Sequence, residues 1–313
     1  MQKPRQLGTS DIFIAPLVLG GNVFGWTADE AASHTILDTF VDRGGNAIDT
    51  ADVYSAWVPG HQGGESENVI GRWLKASGKR NKVVIGTKVG MWPKRIGIKR
   101  DNIVAACEDS LQRLGVDTID LYWLHRDDEA TQAEEYVAAL EELKKAGKIR
   151  TLGASNFKVD RFAEGLEEAK KRRLHFDAQQ PEYNLMNREI EADLLALCER
   201  EQVSVLPYYG LANGYLTGKY RTAEDKAKSL RGGRMDKYMQ GKGPAVLAAL
   251  DAIAARLKAT DAQVALAWVM AKCKGGAPIA SATSVAQLNE LMGALDVTLT
   301  ADDVAALDKV SGQ

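Results

Sequence analysis

Four side chains able to hold or move a proton fall at the ends of successive short apolar runs. Asn46-Ala-Ile-Asp49 ends in a carboxylate, and Tyr54 follows five positions later in a loop-like stretch. Val83-Val-Ile-Gly-Thr-Lys88 ends in an amine, and Ile119-Asp-Leu-Tyr-Trp-Leu-His125 in an imidazole. A free phenol, with a pKa of about 10, is a poor acid at neutral pH. An ammonium beside it favours the phenolate, and a carboxylate beside the ammonium keeps that charge in place. An Asp49–Lys88–Tyr54 chain therefore predicts a tyrosine of lowered pKa that can give and take a proton. A neutral His125 could orient a substrate oxygen or share the transfer. This set suits protonation of a carbonyl oxygen while a hydride reaches its carbon. It lacks the nucleophile, base and orienter of acyl transfer. Taken singly, each residue also reads as a turn cap, a half-buried ring or a solvated charge; their shared placement favours chemistry. His34, His61 and His175 lack that placement and read as surface or packing residues.

The elements that must carry these residues alternate along the chain. Residues 5–14 read as a hairpin about a Gly-Thr-Ser-Asp turn, and Leu17-Val-Leu-Gly-Gly21 as a first buried strand. Helices are expected at 29–41, 65–75, 101–114, 132–146, 158–172, 188–201 and 284–293, each after a strand. The strands fall at 17–21, 46–49, 83–87, 119–124, 149–153, 178–180, 203–207 and 277–280. That is the layout of an α/β fold of the (β/α)8 TIM-barrel type, which brings strand-end residues to one face. An open doubly wound sheet is the competing architecture, but Gly20-Gly-Asn-Val-Phe-Gly25 does not fit its glycine spacing. The stretch from Tyr208 to about Gly243, rich in Gly, Lys and Arg, reads as a long functional loop without regular structure. Helices at 244–258 and 261–273 precede the eighth strand, so one is extra to the barrel. A last helix, 301–310, has Thr300 as its N-cap. Without a convincing linker, residues 1–313 read as one barrel domain with an N-terminal hairpin and extra helices.

Composition narrows the function. A net charge of -2, with 26% charged and 45% hydrophobic residues, offers no electrostatic case for nucleic acid or an anionic membrane. Neither a signal-peptide core nor a membrane-length apolar run is visible. Cys107, Cys198 and Cys273 are far apart in helix-like stretches, which suits buried free thiols in a cytoplasmic protein better than disulfides or a metal site.

Nearly the whole chain resembles the aldo-keto reductases. The motifs that carry the resemblance are Ile48-Asp-Thr-Ala-Asp-Val-Tyr54 with Gly64-Glu-Ser-Glu67, then Ile119–His125, Gly147-Lys-Ile-Arg-Thr-Leu-Gly-Ala-Ser-Asn-Phe157 and Gln180-Pro-Glu-Tyr-Asn-Leu185. The resemblance implies a hydride-transferring enzyme with a nicotinamide cofactor across the barrel mouth, with Tyr54 as acid/base, Asp49 and Lys88 tuning it, and His125 positioning the carbonyl. Ser155, Asn156 and Gln180 would then hydrogen-bond the carboxamide and Tyr208 would stack on its ring; Asn156 also reads as a cap of the helix near 158. Tyr209, Gly210, Leu211 and Gln287 join the implied cofactor set. Tyr209-Gly210 stands where the family often has Ser-Pro, and Gly214 and Lys219 are candidates for a loop closing over the pyrophosphate.

Most relatives use NADP(H), which is the cofactor expected here, with NAD(H) kept open. No Lys or Arg occurs from Gly275 to Asp308, so the adenosine phosphate would rest on Ser281, Thr283, Ser284 and the helix N-terminus beginning there. Lys219, Arg231 or Arg234 could add the missing charge. Trp26, Trp57 and Trp92, just after strands one to three, would line an apolar substrate pocket with Tyr54 and His125. Arg126 could meet an anionic substrate, although a pair with a neighbouring Asp is the blander reading. The expected partner is a small carbonyl or alcohol. Two other readings stay open: a cofactor-binding regulatory subunit with slow turnover, and an isomerase or aldolase on the same barrel.

Overall fold

The computed structural model describes residues 2–228, 233 and 235–312. It opens with a hairpin, β1 (Arg5–Gln6) against β2 (Phe13–Ile14). Then follow β3 (Val18–Gly20), α1 (Glu30–Asp42), β4 (Ala47–Asp49), α2 (Glu65–Ser77) and β5 (Val84–Val89). A small hairpin, β6 (Met91–Trp92) with β7 (Arg95–Ile96), precedes α3 (Arg100–Leu114). Next come β8 (Ile119–Leu124), α4 (Ala133–Lys145), β9 (Ile149–Ser155), α5 (Val159–Lys171), β10 (Phe176–Gln180), α6 (Leu194–Arg200) and β11 (Ser204–Val205). The chain ends with α7 (Asp236–Met239), α8 (Gly243–Leu257), α9 (Asp261–Lys272), β12 (Ile279–Ala280), α10 (Val285–Gly293) and α11 (Ala301–Ser311).

Eight strands pair in parallel in the order β11-β10-β9-β8-β5-β4-β3-β12. The Ile279 amide donates to the Pro207 carbonyl at 2.8 Å and closes β12 onto the end of β11. This is the expected (β/α)8 barrel. Its strands are buried on both faces, as parallel strands under helices must be.

Two apolar layers follow from that geometry. Outward-facing strand residues pack with helix stripes such as Ile36, Leu37 and Phe40 of α1. Inside the ring, Val18, Ala47, Leu121, Trp123, Ala178 and Leu206 meet Leu7, Ile12 and Ile14 of the hairpin, which plugs the lower end. Gly8 N–H donates to Ser204 Oγ at 2.9 Å and Thr9 N–H to Asp177 at 3.2 Å, pinning that plug. Trp123 fills the barrel centre because two neighbours have no side chain. A Cβ at Gly153 would lie 2.2 Å from its ring, and one at Gly86 3.0 Å from its Nε1.

Local signals set most boundaries. Asp29 caps α1 by accepting from Ala32 N–H at 2.8 Å, and Gly78, at φ 66°, ends α2. Thr300 with Asp303 forms the expected capping arrangement of α11.

Two expectations are corrected. The helix foreseen at 188–201 is broken into a short turn, Glu189–Glu191, and α6. Glu191 is held by Arg188 and by the Tyr183 hydroxyl at 2.5 Å, and Asp193 leaves helical geometry at φ -153°. The long loop is not structureless: Ala212–Thr217, Ala223–Lys228 and α7 are helical turns. Its aromatic residues explain this, since Tyr215, Tyr220 and Tyr238 are buried and Tyr215 stacks on Tyr238 at 5.6 Å. Arg221 adds ion pairs to Asp251 and Asp261.

Among the described residues no helix is long and apolar enough to cross a membrane. All three cysteines are free and buried, and burial pushes their thiols up to about 12.

Candidate active site

Parallel register places Asp49 opposite Gly86, and Lys88 opposite Trp123 one strand further on. Two strand ends thus aim a carboxylate and an amine into the same space. Lys88 is fully buried and all three of its ammonium protons are used. Nζ donates to Asp49 Oδ2 at 2.5 Å, to the Thr50 carbonyl at 2.8 Å and to the Tyr54 hydroxyl at 2.9 Å. The Tyr54 hydroxyl also reaches Asp49 Oδ2 at 3.5 Å, and Gln180 Nε2 donates to Asp49 Oδ1 at 3.1 Å. Trp123 lies beneath as the floor. The His125 ring centroid is 6.1 Å from that of Tyr54, and Nδ1 is buried without a partner.

Burial dominates the electrostatics here. It raises the Asp49 carboxyl and lowers the Lys88 ammonium from their ordinary values, while each charge favours the other. Three well-placed acceptors around Nζ favour the charged pair. Tyr54 differs from the sequence expectation. Its ring keeps partial exposure, yet burial of its hydroxyl raises the phenol well above 10, and the Asp49 charge adds to the rise. The ammonium at 2.9 Å acts in the opposite sense without prevailing. Burial, reinforced by the charges of Lys88 and Arg126, lowers His125 well below 6.5, so its imidazole is neutral at physiological pH.

A hydrogen-bond chain leads from this cluster across the mouth. Ser155 Oγ donates to the Gln180 carbonyl at 2.8 Å and accepts from Asn156 Nδ2 at 3.0 Å. Asn156 Nδ2 also donates to the His125 carbonyl at 2.9 Å, and Asn156 Oδ1 accepts from the Tyr208 hydroxyl at 2.7 Å. Asn156 is therefore not the cap of α5; Lys158 occupies that place, with no side-chain cap bond. Its φ of 56° accounts for an asparagine there. Tyr209, at φ 55° and 39% exposed, contacts Tyr208 edge-on at 5.0 Å. Gly210 lies tight against Leu266 and Pro278, and Leu211 packs on the core.

Other predicted residues stand apart from that chain. Ser281 Oγ donates to Asn22 Oδ1 at 2.5 Å. Thr283 donates through N–H and Oγ1 to Gln287 Oε1, and Ser284 Oγ accepts from Gln287 N–H at 3.2 Å. The N-terminus of α10 is thus partly self-capped rather than wholly free. Lys219 sits over the Tyr220 ring at 5.0 Å and packs against Gly214. Arg231 and Arg234 lie outside the described residues.

Of the three tryptophans, two join the mouth. Trp57 meets Trp26 at 5.6 Å and Tyr54 at 6.1 Å, and is 49% exposed. Trp92 is drawn to the α2 approach instead, donating to the Gln62 carbonyl at 2.7 Å under Lys94 and Arg95. Beyond Trp26 an open cleft of about 400 Å³ is lined by Asp29, Glu30, His61 and Glu65.

A second buried charge group went unassigned in the sequence reading. Glu67 is fully buried, pairs with Arg113 Nε at 2.6 Å and accepts from Thr87 Oγ1 at 2.5 Å. Asp52, 2% exposed, has neither carboxyl oxygen in a hydrogen bond of normal geometry. Its position three residues after Asp49 was the available signal. Among the described residues no cluster of three or more His, Cys, Asp or Glu is placed to hold a metal ion.

Residues 16–311 match the model of the aldo/keto reductase family. Aldo-keto reductase str7 of Strobilurus tenacellus is 35% identical over 265 residues, covering 82% of this chain and 76% of its own. Putative aryl-alcohol dehydrogenase AAD16 of Saccharomyces cerevisiae is 30% identical over 341 residues, covering 98% and 96%. Uncharacterized oxidoreductase YrpG of Bacillus subtilis is 32% identical over 317 residues, covering 97% and 94%.

Proposed function

The chain belongs to the aldo/keto reductase family, and on that footing we propose that it reduces aromatic and other apolar aldehydes or ketones with NADP(H), or oxidises the corresponding alcohols. Nicotinamide-dependent oxidation and reduction of carbonyl compounds follows from family membership and from relatives named as reductases and dehydrogenases. The roles of individual residues rest on one observation: Lys88 Nζ bonds Asp49 and Tyr54 at once, in a buried position.

Tyr54 acts as the proton donor to the carbonyl oxygen. Burial keeps its phenol protonated at neutral pH, the state that reduction requires. Lys88 stabilises the phenolate left behind, and Asp49 holds Lys88 in register. His125, neutral, keeps hydrogen-bonding capacity for the carbonyl oxygen without competing as an acid.

The residues across the mouth fit a nicotinamide. Ser155, Asn156 and Gln180 offer both donors and acceptors, which a carboxamide needs, and Tyr208 offers a flat face. When bound, that cofactor supplies the hydride. The chain's share is to exchange the Asn156 and Ser155 bonds for contacts to the carboxamide and to hold the carbonyl against Tyr54.

NADP(H) is favoured by the family, with weak discrimination expected because the α10 N-terminus has hydroxyls but no local cation. The aromatic substrate class is supported by the Trp26–Trp57–Tyr54 wall and by the relative named aryl-alcohol dehydrogenase. Residues 1–313 act as one domain, and reduced buried thiols suit a cytoplasmic setting. Stopped-flow transfer from NADPH and NADH to benzaldehyde tests the reading. No oxidation of either cofactor by any of a panel of aldehydes and ketones would overturn it.

A further inference from the structure

Arg126 directly follows His125 at the end of β8 and is exposed. Its acidic neighbours are committed elsewhere. Asp127 is gripped by Arg161 through Nε at 3.1 Å and Nη2 at 3.2 Å. Asp128 accepts from Thr131 Oγ1 at 2.7 Å and from Ala130 N–H at 3.1 Å, and Glu129 pairs with Lys158 at 2.7 Å. Among the described residues the Arg126 guanidinium has no hydrogen bond and no ion pair. The blander sequence reading, a pair with an adjacent Asp, is thereby removed.

The guanidinium nevertheless acts on both sides of the mouth. Its charge helps to lower the His125 imidazole, after burial and Lys88. It also opposes burial and the nearby Glu182 charge at the Tyr208 phenol. Arg126 therefore lies within electrostatic reach of both groups, next in the chain to His125, whose carbonyl is tied through Asn156 to the Tyr208 hydroxyl. From His125 the aromatic surface continues through Tyr54, 6.1 Å away, to the exposed Trp57, and Tyr209 beside Tyr208 is exposed as well. A ligand matching both features has a flat apolar body and an anionic group remote from the carbonyl.

We propose that Arg126 is a specificity-determining residue that anchors the carboxylate of an aryl aldehyde acid, or of the corresponding alcohol, while the carbonyl lies at His125 and Tyr54. This rests on the carbonyl-reductase reading above. The planar guanidinium suits a carboxylate because it donates two parallel hydrogen bonds, and no competing acid has to be displaced. Glu182, which pairs with Tyr208 along the backbone, disfavours an acid group placed beside the Tyr208 ring, so the carboxylate belongs at the end of the ligand away from it.

The test compares 4-carboxybenzaldehyde with its neutral amide, 4-carbamoylbenzaldehyde. In the wild-type enzyme kcat/KM should favour the acid by roughly a few-fold to tenfold, an advantage that shrinks as salt is raised. In Arg126→Leu the ratio should fall to about one, and in Arg126→Glu below it. A wild-type ratio of one, or a ratio unmoved in both variants, overturns the proposal. Binding of benzoate and benzamide, followed by quenching of tryptophan fluorescence, separates this from failure of the reductase reading. Benzoate should bind more tightly to the wild type but not to Arg126→Leu, whether or not any aldehyde turns over. If Arg126→Leu weakens NADPH binding as much as it weakens benzoate binding, the residue serves the cofactor and the proposal falls.

Discussion

Replacing Asp52 by Asn should change how stability depends on pH, by an amount the structure lets one work out. The Asp52 carboxyl is pushed up to about 8, first by burial and then by the charge of Glu67, against opposition from Arg113 and Lys88. In the unfolded chain an aspartate titrates at about 3.9. Between those values the native state holds a proton that the unfolded state has released. The native state is thus favoured below about pH 4 and loses stability as pH rises, by about 1.4 kcal/mol per unit, until the folded group itself ionises. Over roughly four units the loss approaches about 5 kcal/mol. Asparagine has nearly the same shape and cannot ionise, so the variant escapes this slope.

The amide brings two donors of its own into a buried site, a cost that does not vary with pH. The difference in unfolding free energy between variant and wild type should therefore climb from pH 4.5 to about 8 and then level off, whatever its starting value. Urea unfolding of both proteins across that range measures it, and every other titrating group that is unperturbed by the change cancels. Two curves that stay parallel would show that Asp52 is ionised in the folded protein and that burial beside Glu67 does not enforce its protonation.

Tyr54→Phe should lower kcat by about 10²–10⁴-fold with NADPH affinity nearly unchanged, as seen by stopped-flow and a fluorescence titration; wild-type turnover in a folded variant would remove Tyr54 from the chemistry. Lys88→Met leaves Asp49 buried without a counter-ion and should cost about 3–5 kcal/mol in urea unfolding. Adding Asp49→Asn should recover most of that loss, and no recovery would mean that the two residues are not energetically coupled. Dissociation constants for NADPH and NADH at two salt concentrations should show a modest, salt-sensitive preference for NADPH. A strong preference that persists in salt would mean that a fixed cation lies close to Ser281, Thr283 and Ser284.

The barrel and the four strand-end residues were legible in the sequence for a common reason. In a parallel sheet each strand delivers its last side chains to one face, so apolar runs ending in Asp49, Lys88 and His125 already specify a meeting place. The hairpin at 5–14 was legible from its turn, though its role as the barrel's plug was not. That role depends on Leu7, Ile12 and Ile14 meeting Trp123 across more than a hundred residues of chain. The loop after Tyr208 was misread as structureless because its glycine and lysine content masked the buried Tyr215, Tyr220 and Tyr238.

What escaped the sequence was mostly a matter of desolvation and of prior commitment. Residue types say that Lys88 near Tyr54 favours the phenolate, but only the fold says that the phenol hydroxyl, the amine and Asp49 are enclosed together, which reverses the sign of the net shift. Likewise, two aspartates beside Arg126 suggest a local pair until the fold hands Asp127 to Arg161 and Asp128 to Thr131. Asn156 makes the same point from the opposite side. It resembles a helix cap by position, yet its amide joins the His125 carbonyl to Ser155 and Tyr208. Its left-handed backbone and three bonds hold it in a form that, on the proposed cofactor reading, a carboxamide would have to reopen. An Asn156→Ala change would remove the cross-link between His125 and Tyr208 and, on that reading, a cofactor contact, so its effect should appear in cofactor affinity and in kcat together. An effect on affinity alone would mean that the link between His125 and Tyr208 does no positioning.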